Sequence, residues 1–157
     1  MPIEQLTVGY DNFCYVLFCP FHKKAAVVDP GFDATKILQM LSAKNLMLEY
    51  IILTHHHSDH TAETKHLQTV FPSSKIVASE ADGKKLSVKP DVYVYDGSQL
   101  KLGNVRLDFL LTPGHTKGGI CILVDKTALL TGDTLFIGDA GGRYLHGGCM
   151  ADLFDPF

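Results

Sequence analysis

The chain has 157 residues, 46% hydrophobic and 20% charged, the make-up of one ordinary globular domain (residues 1–157) long enough to bury a substantial core. Its 14 basic and 17 acidic residues leave a formal charge of −3 with no run of Lys or Arg, which argues against a nucleic-acid-binding surface. No apolar stretch approaches the roughly 18 to 20 residues that cross a bilayer, and Met1-Pro2-Ile3-Glu4 lacks the basic and apolar regions of a signal peptide, so a cytoplasmic protein with no membrane partner is expected.

In chain order, residues 13–18 and 25–28 read as strands, the second ending at the turn Asp29-Pro30-Gly31. Asp33 is a plausible N-cap for a helix over residues 34–44, where Ile37, Leu38 and Leu41 recur at helical spacing. A strand over 50–53 follows, then a helix from about His60 to Phe71 that Pro72 closes. Residues 75–78 form a short strand, and residues 80–86 fit one or two helical turns. Strands at 92–95 and 105–111 precede a hairpin of 120–124 with 128–130 around Asp125-Lys126. Beyond Thr131-Gly132-Asp133 the pattern turns glycine-rich, with a short helix-like run over 150–154. The whole predicts a mixed α/β (α+β) architecture with much antiparallel pairing. Cys14, Cys19, Cys121 and Cys149 form no CxxC pair and read as buried or incidental thiols.

The segment Thr54-His55-His56-His57-Ser58-Asp59-His60 directly follows the apolar run at 50–53. His55, His57, Asp59 and His60 are the nitrogen and carboxylate ligands that Zn²⁺ favours and that non-haem iron also uses. In an extended segment His55 and His57 project to one side, with His56 pointing away. A helix starting near Ser58 would turn Asp59 and His60 toward a neighbouring position. Such a cluster arises by chance on the order of once in a thousand chains of this size. Two further ligand-type residues lie in glycine-flanked loops after apolar strands: His115 in Thr112-Pro113-Gly114-His115-Thr116, and Asp133 in Thr131-Gly132-Asp133-Thr134.

Together, the runs Thr54 to His60, Pro113-Gly114-His115-Thr116 and Gly132-Asp133-Thr134, with the Asp29-Pro30-Gly31 turn, resemble the successive signatures of the metallo-β-lactamase superfamily. The resemblance covers roughly residues 10–148. It implies an αββα sandwich with metals at one edge, where the loops of the two sheets meet. Within that superfamily, Asp11-Asn12-Phe13-Cys14-Tyr15, the triple His55-His56-His57 and Gly132-Asp133-Thr134-Leu135-Phe136 look most like hydroxyacylglutathione hydrolases (glyoxalase II). Gly142-Arg143-Tyr144 resembles their substrate-contacting stretch, which makes Arg143 and Tyr144 candidate substrate-binding residues, although Leu145 and His146 depart from that pattern.

The resemblance implies that His55, His57 and His115 hold a first metal, Asp133 bridges, and Asp59 and His60 serve a second. Asp59 and Asp133 are then also the catalytic carboxylates. The family's final His ligand and closing strand have no counterpart before Asp155-Pro156-Phe157, so the sandwich is expected to be incomplete at its C-terminus. Either the chain is a fragment of a longer protein or it is naturally short; in the second case a second copy or a partner protein is expected to cover that open edge. His146 is a candidate replacement ligand by residue type alone.

The first expectation for function is hydrolysis of a small-molecule thioester by a metal-activated water, with one or two Zn²⁺ as cofactor and iron as the alternative. Four neutral His and two carboxylates bring about −2 against about +4 from two zinc ions, leaving positive charge to stabilise hydroxide. The second is a mononuclear iron persulfide dioxygenase using His55, His115 and Asp133. The third is a truncated, inactive metal-binding domain.

Overall fold

The computed structural model describes residues 3–138 and 141. Strands β1 (Ile3–Val8), β2 (Asn12–Cys19), β3 (Lys24–Val28), β4 (Met47–Ile52), β5 (Lys75–Ser79) and β6 (Val92–Val94) form one sheet in that order. Strands β7 (Gln99–Leu102), β8 (Val105–Leu111), β9 (Ile120–Val124) and β10 (Ala128–Leu130) form a second sheet in the order β10-β9-β8-β7. The first sheet is antiparallel from β1 to β3 and parallel from β3 to β6. The second is antiparallel throughout. Helices α1 (Ala34–Ala43), α2 (Ser58–Thr61), α3 (Thr64–Val70) and α4 (Glu80–Gly83) lie in the crossovers between parallel strands. Crossovers of this kind bring the C-terminal ends of β3, β4 and β5 to one edge, the usual place for a site in such sheets.

The layering follows from strand periodicity, since successive side chains of a strand point to opposite faces. On one face of the first sheet, Val16, Phe18, Ala25, Val27, Ile51 and Ile76 pack with Ile37 and Leu41 of α1 and Leu67 of α3. On the other face, Leu17, Ala26, Val28, Ile52 and Val77 meet Leu107, Phe109, Ile120, Ile122 and Val124 of the second sheet. The strands of the first sheet are apolar on both faces because both are covered. Three layers of the expected αββα sandwich are thus present, and among the described residues no helix lies over the outer face of the second sheet, where Leu110 and Leu129 are exposed. Asp125 and Lys126 both take positive φ in the turn joining β9 to β10, as a tight hairpin requires.

Several expectations need correction. Strands β1 and β7 were not predicted, because each buries a single side chain, Val8 and Leu102, and so carries almost no hydrophobic pattern. The helix expected over 60–71 is two helices. The Glu63 N–H donates to the Pro30 carbonyl at 2.9 Å, and α2 has ended before α3 begins at Thr64. Asp33 is the N-cap residue of α1, as expected, but it lies at φ 58° and its side chain makes no cap bond, pairing with Lys36 at 3.0 Å instead. Cys14, Cys19 and Cys121 are free and buried. Cys149 and the run 150–154 lie outside the described residues. No described helix is long and apolar enough to cross a membrane.

Candidate metal centre

β4 delivers the histidine segment to the edge shared by the two sheets. Leu53 still pairs with β5 through its N–H to the Val77 carbonyl (2.9 Å), and the Thr54 carbonyl accepts from the Ile120 N–H of the second sheet (3.0 Å). The chain then leaves the sheet, with His57 extended (φ −65°, ψ 144°) just before α2. From the second sheet, the loop between β8 and β9 brings His115, and a 3₁₀ turn at Gly132–Thr134 after β10 brings Asp133. Gly31 matters for the fit, because a Cβ there would lie 1.6 Å from the Asp59 carbonyl oxygen; only glycine lets β3's end pass under α2.

Asp29 orients the site from below. It is 3% exposed and accepts from the Thr54 N–H (2.7 Å), the Thr54 hydroxyl (2.6 Å) and His60 Nδ1 (3.1 Å). With its proton committed to Asp29, the Thr54 hydroxyl is left to accept from His55 Nδ1 at 3.1 Å. Both rings thus use Nδ1 for these bonds and turn Nε2 the other way, as second-shell hydrogen bonding does in metal sites; on His55 that Nε2 carries the lone pair. His55 Nε2 is buried and has no hydrogen-bond partner. Such an atom is costly to bury, and a cation is the partner that a bare imidazole lone pair accepts.

The rings of His55, His57 and His115 stand mutually near perpendicular, with centroids 4.7 to 4.9 Å apart. Their donor atoms lie within 4.8 Å of one another, and His57 Nδ1 is 2.9 Å from His115 Nε2. Three convergent imidazoles suit a borderline divalent cation such as zinc. Beside them, His60 Nε2 is 3.2 Å from one Asp133 oxygen and 3.6 Å from Asp59, while the other Asp133 oxygen is 3.4 Å from His115 Nε2. The Asp133 carboxylate thus lies between the two clusters. Asp29, His55 and His60 also group closely, but both Asp29 oxygens are already taken, so it orients rather than ligates.

Burial, with the charge of His60, pushes the His55 pKa down to about 2, and burial with His115 lowers that of His57. Both are therefore held as neutral imidazoles, the form a metal needs. Burial alone would lower His60 too, but its bonds to Asp133 and Asp29 outweigh that and raise it to about 10. The stability of the metal-free protein should therefore peak near pH 6.5. Below that, the unfolded chain binds protons that His55 and His57 refuse in the fold, so stability falls with pH. Above it, the fold keeps a proton on His60 that the unfolded chain releases, so stability declines toward pH 10. Melting of chelator-treated protein from pH 5 to 9 checks this; a midpoint rising throughout would contradict it.

All six predicted ligand-type residues, His55, His57, Asp59, His60, His115 and Asp133, meet at this edge. The His56 ring bonds Asp82 instead (3.0 Å). Arg143, Tyr144 and His146 lie outside the described residues. Sequence reasoning missed two supports. Asn12 Nδ2 donates to both the side chain (2.9 Å) and the main-chain oxygen (3.0 Å) of Asp59, and buried Asp82 bonds His56 and Thr116. Neither carries a local sequence signal beyond its residue type.

A profile of the metallo-beta-lactamase superfamily matches residues 8–154. The Bacillus subtilis (strain 168) protein named "Probable polyketide biosynthesis zinc-dependent hydrolase PksB" is 32% identical over 155 residues, covering 98% of this chain and 68% of that protein. A Francisella tularensis subsp. novicida (strain U112) hydroxyacylglutathione hydrolase is 36% identical over 146 residues, covering 92% of this chain. The chain spans 55% of the length of that hydrolase. The crystal structure of ETHE1 from Myxococcus xanthus superposes with a TM-score of 0.87 at 27% identity, covering 99% of this chain and 67% of that one.

Proposed function

Because the chain belongs to the metallo-beta-lactamase superfamily, we propose that it is a metal-dependent hydrolase acting on small-molecule thioesters in the cytoplasm. The observation that carries this reading is the trio of perpendicular imidazoles around the unpartnered His55 Nε2, with Asp133 beside it. The names of its zinc-dependent and hydroxyacylglutathione-hydrolysing relatives support zinc and a thioester.

In this reading His55, His57 and His115 hold the first ion, Asp133 lies between the two positions, and Asp59 and His60 face the second. When bound, zinc supplies a Lewis acid that makes water nucleophilic near neutral pH and polarises the carbonyl. The chain's own residues do the rest. Thr54 fixes the His55 tautomer, and Asp29 fixes the orientation of the His60 ring. Asp133 and Asp59 would orient the attacking water, Asp59 being steadied by Asn12 while its side chain stays 47% exposed to incoming substrate. Arg143 and Tyr144 are proposed to contact the thiol portion of the substrate.

A second reading, a mononuclear iron oxidoreductase on His55, His115 and Asp133, draws support from the 3.4 Å approach of Asp133 to His115, since two His and one carboxylate are a known iron ligand set. Elemental analysis of the purified chain, run beside hydrolysis of a glutathione thioester, separates them. Zinc, with hydrolysis lost on chelation and restored by zinc, is the expected result. Iron with persulfide-dependent O₂ uptake would favour the second reading, and neither metal nor turnover would leave an inactive domain.

A further inference from the structure

We propose that Asp82 is a positioning residue that locks the His57 and His115 loops against each other; this rests on the metal-centre reading above. Asp82 comes from neither loop. It sits in α4, after β5, and its N–H is tied to Ser79 Oγ at 3.3 Å. Its side chain is 2% exposed. One carboxylate oxygen accepts from the His56 N–H (3.0 Å), His56 Nδ1 (3.0 Å) and the Thr116 hydroxyl (2.7 Å), and the other accepts from the Gly118 N–H (2.9 Å).

Each of the first three donors belongs to the residue next to a proposed ligand. His56 stands between His55 and His57, and Thr116 follows His115. The need for such a clamp differs among the ligands. Thr54 holds the His55 ring and Asp29 holds the His60 ring, whereas the His57 ring has its only hydrogen-bonding contact, among the described residues, with His115. The aim of His57 thus depends on its backbone, and Asp82 grips that backbone one residue upstream. The grip also reaches the second sheet. A Cβ on Gly118 would lie 2.3 Å from Ser79 Oγ and 2.7 Å from the Asp82 carboxylate, so a glycine is required for that N–H to reach it.

A buried carboxylate that forms no ion pair with Lys or Arg among the described residues is a costly way to join two loops. Placing two ligands from different sheets within 2.9 Å of each other gives that cost a function.

The test uses the purified full chain, stripped of metal and titrated with Zn²⁺ against a chromophoric chelator, with the visible spectrum of the Co²⁺-loaded protein and the metal-free Tm measured alongside. Asp82→Asn is expected to weaken zinc binding by about 10- to 100-fold and to lower the Co²⁺ absorption. Thr116→Val should give part of that loss, and Thr116→Ser, which keeps the hydroxyl, should bind as the parent does. Leu107→Ala, in the core between the sheets, should lower Tm without changing zinc affinity. Parental affinity and spectrum in Asp82→Asn with only a lower Tm would overturn the proposal. If that variant does not fold, equal affinities for Thr116→Val and Thr116→Ser would overturn it. Parental zinc affinity in both His57→Ala and His115→Ala would instead overturn the metal-centre reading itself.

Discussion

Replacing His55 by alanine is expected to lower zinc affinity by at least about a thousandfold, and Asp133→Ala is expected to remove binding as well. Zinc held by protein ligands gains on the order of 10 to 16 kcal/mol. One of three imidazoles carries roughly a third of that, about 4 kcal/mol, or about three powers of ten in affinity. His55 is the sharpest case because its Nε2 is buried with no other partner. In the metal-free protein that atom is a liability, so His55→Ala should leave the metal-free Tm unchanged or higher while abolishing the rise that zinc gives the parent. His56→Ala is the contrast. It removes one of the donors to Asp82 but keeps the backbone N–H on that carboxylate, so zinc affinity should change by no more than about threefold. Calorimetric titration of the three variants decides the matter; equal loss in all of them would contradict the ligand assignment.

Asp29→Ala is expected to be the most damaging single change for stability near the site. It strands the Thr54 N–H, the Thr54 hydroxyl and His60 Nδ1, all in a buried setting. Unpaired buried donors cost about 1 to 3 kcal/mol each. Position 29 also has φ 52°, a left-handed conformation that alanine adopts at a cost of about 1 to 2 kcal/mol. The expected loss is therefore at least about 4 kcal/mol, a large part of the 5 to 15 kcal/mol typical of a domain. Asp29→Asn tolerates the same φ and keeps one acceptor oxygen, so it should fall between alanine and the parent. Urea unfolding of metal-free protein measures both, and an unchanged midpoint for Asp29→Ala would refute the role given to this carboxylate.

The strands that bury both faces were legible because their apolar runs are long and dense: 13–18 against the observed Asn12–Cys19, and 25–28 against Lys24–Val28. The edge strand β1 and the short β7 were not legible, since one buried residue each leaves no period to detect. The break between α2 and α3 was invisible for a different reason: its cause, the Pro30 carbonyl, belongs to another part of the chain. In the site, ligand types and the alternation of His55, His56 and His57 were readable from local geometry. The supports were not, because Asn12 lies 47 residues from Asp59, and Asp82 lies 26 and 34 residues from His56 and Thr116.

The sequence by itself determined the metal-binding chemistry and the family, because ligand identity and two-residue alternation are local properties that survive without coordinates. It also set aside His56 from the ligands on that alternation alone. Only the tertiary structure decided that His55 and His60 bond Thr54 and Asp29 through Nδ1, that both Asp29 oxygens are taken up by those neighbours, and that Asp133 lies between His60 and His115. Those outcomes depend on hydrogen bonds between segments that meet only when both sheets pack, and no local pattern encodes the partner of a buried polar group.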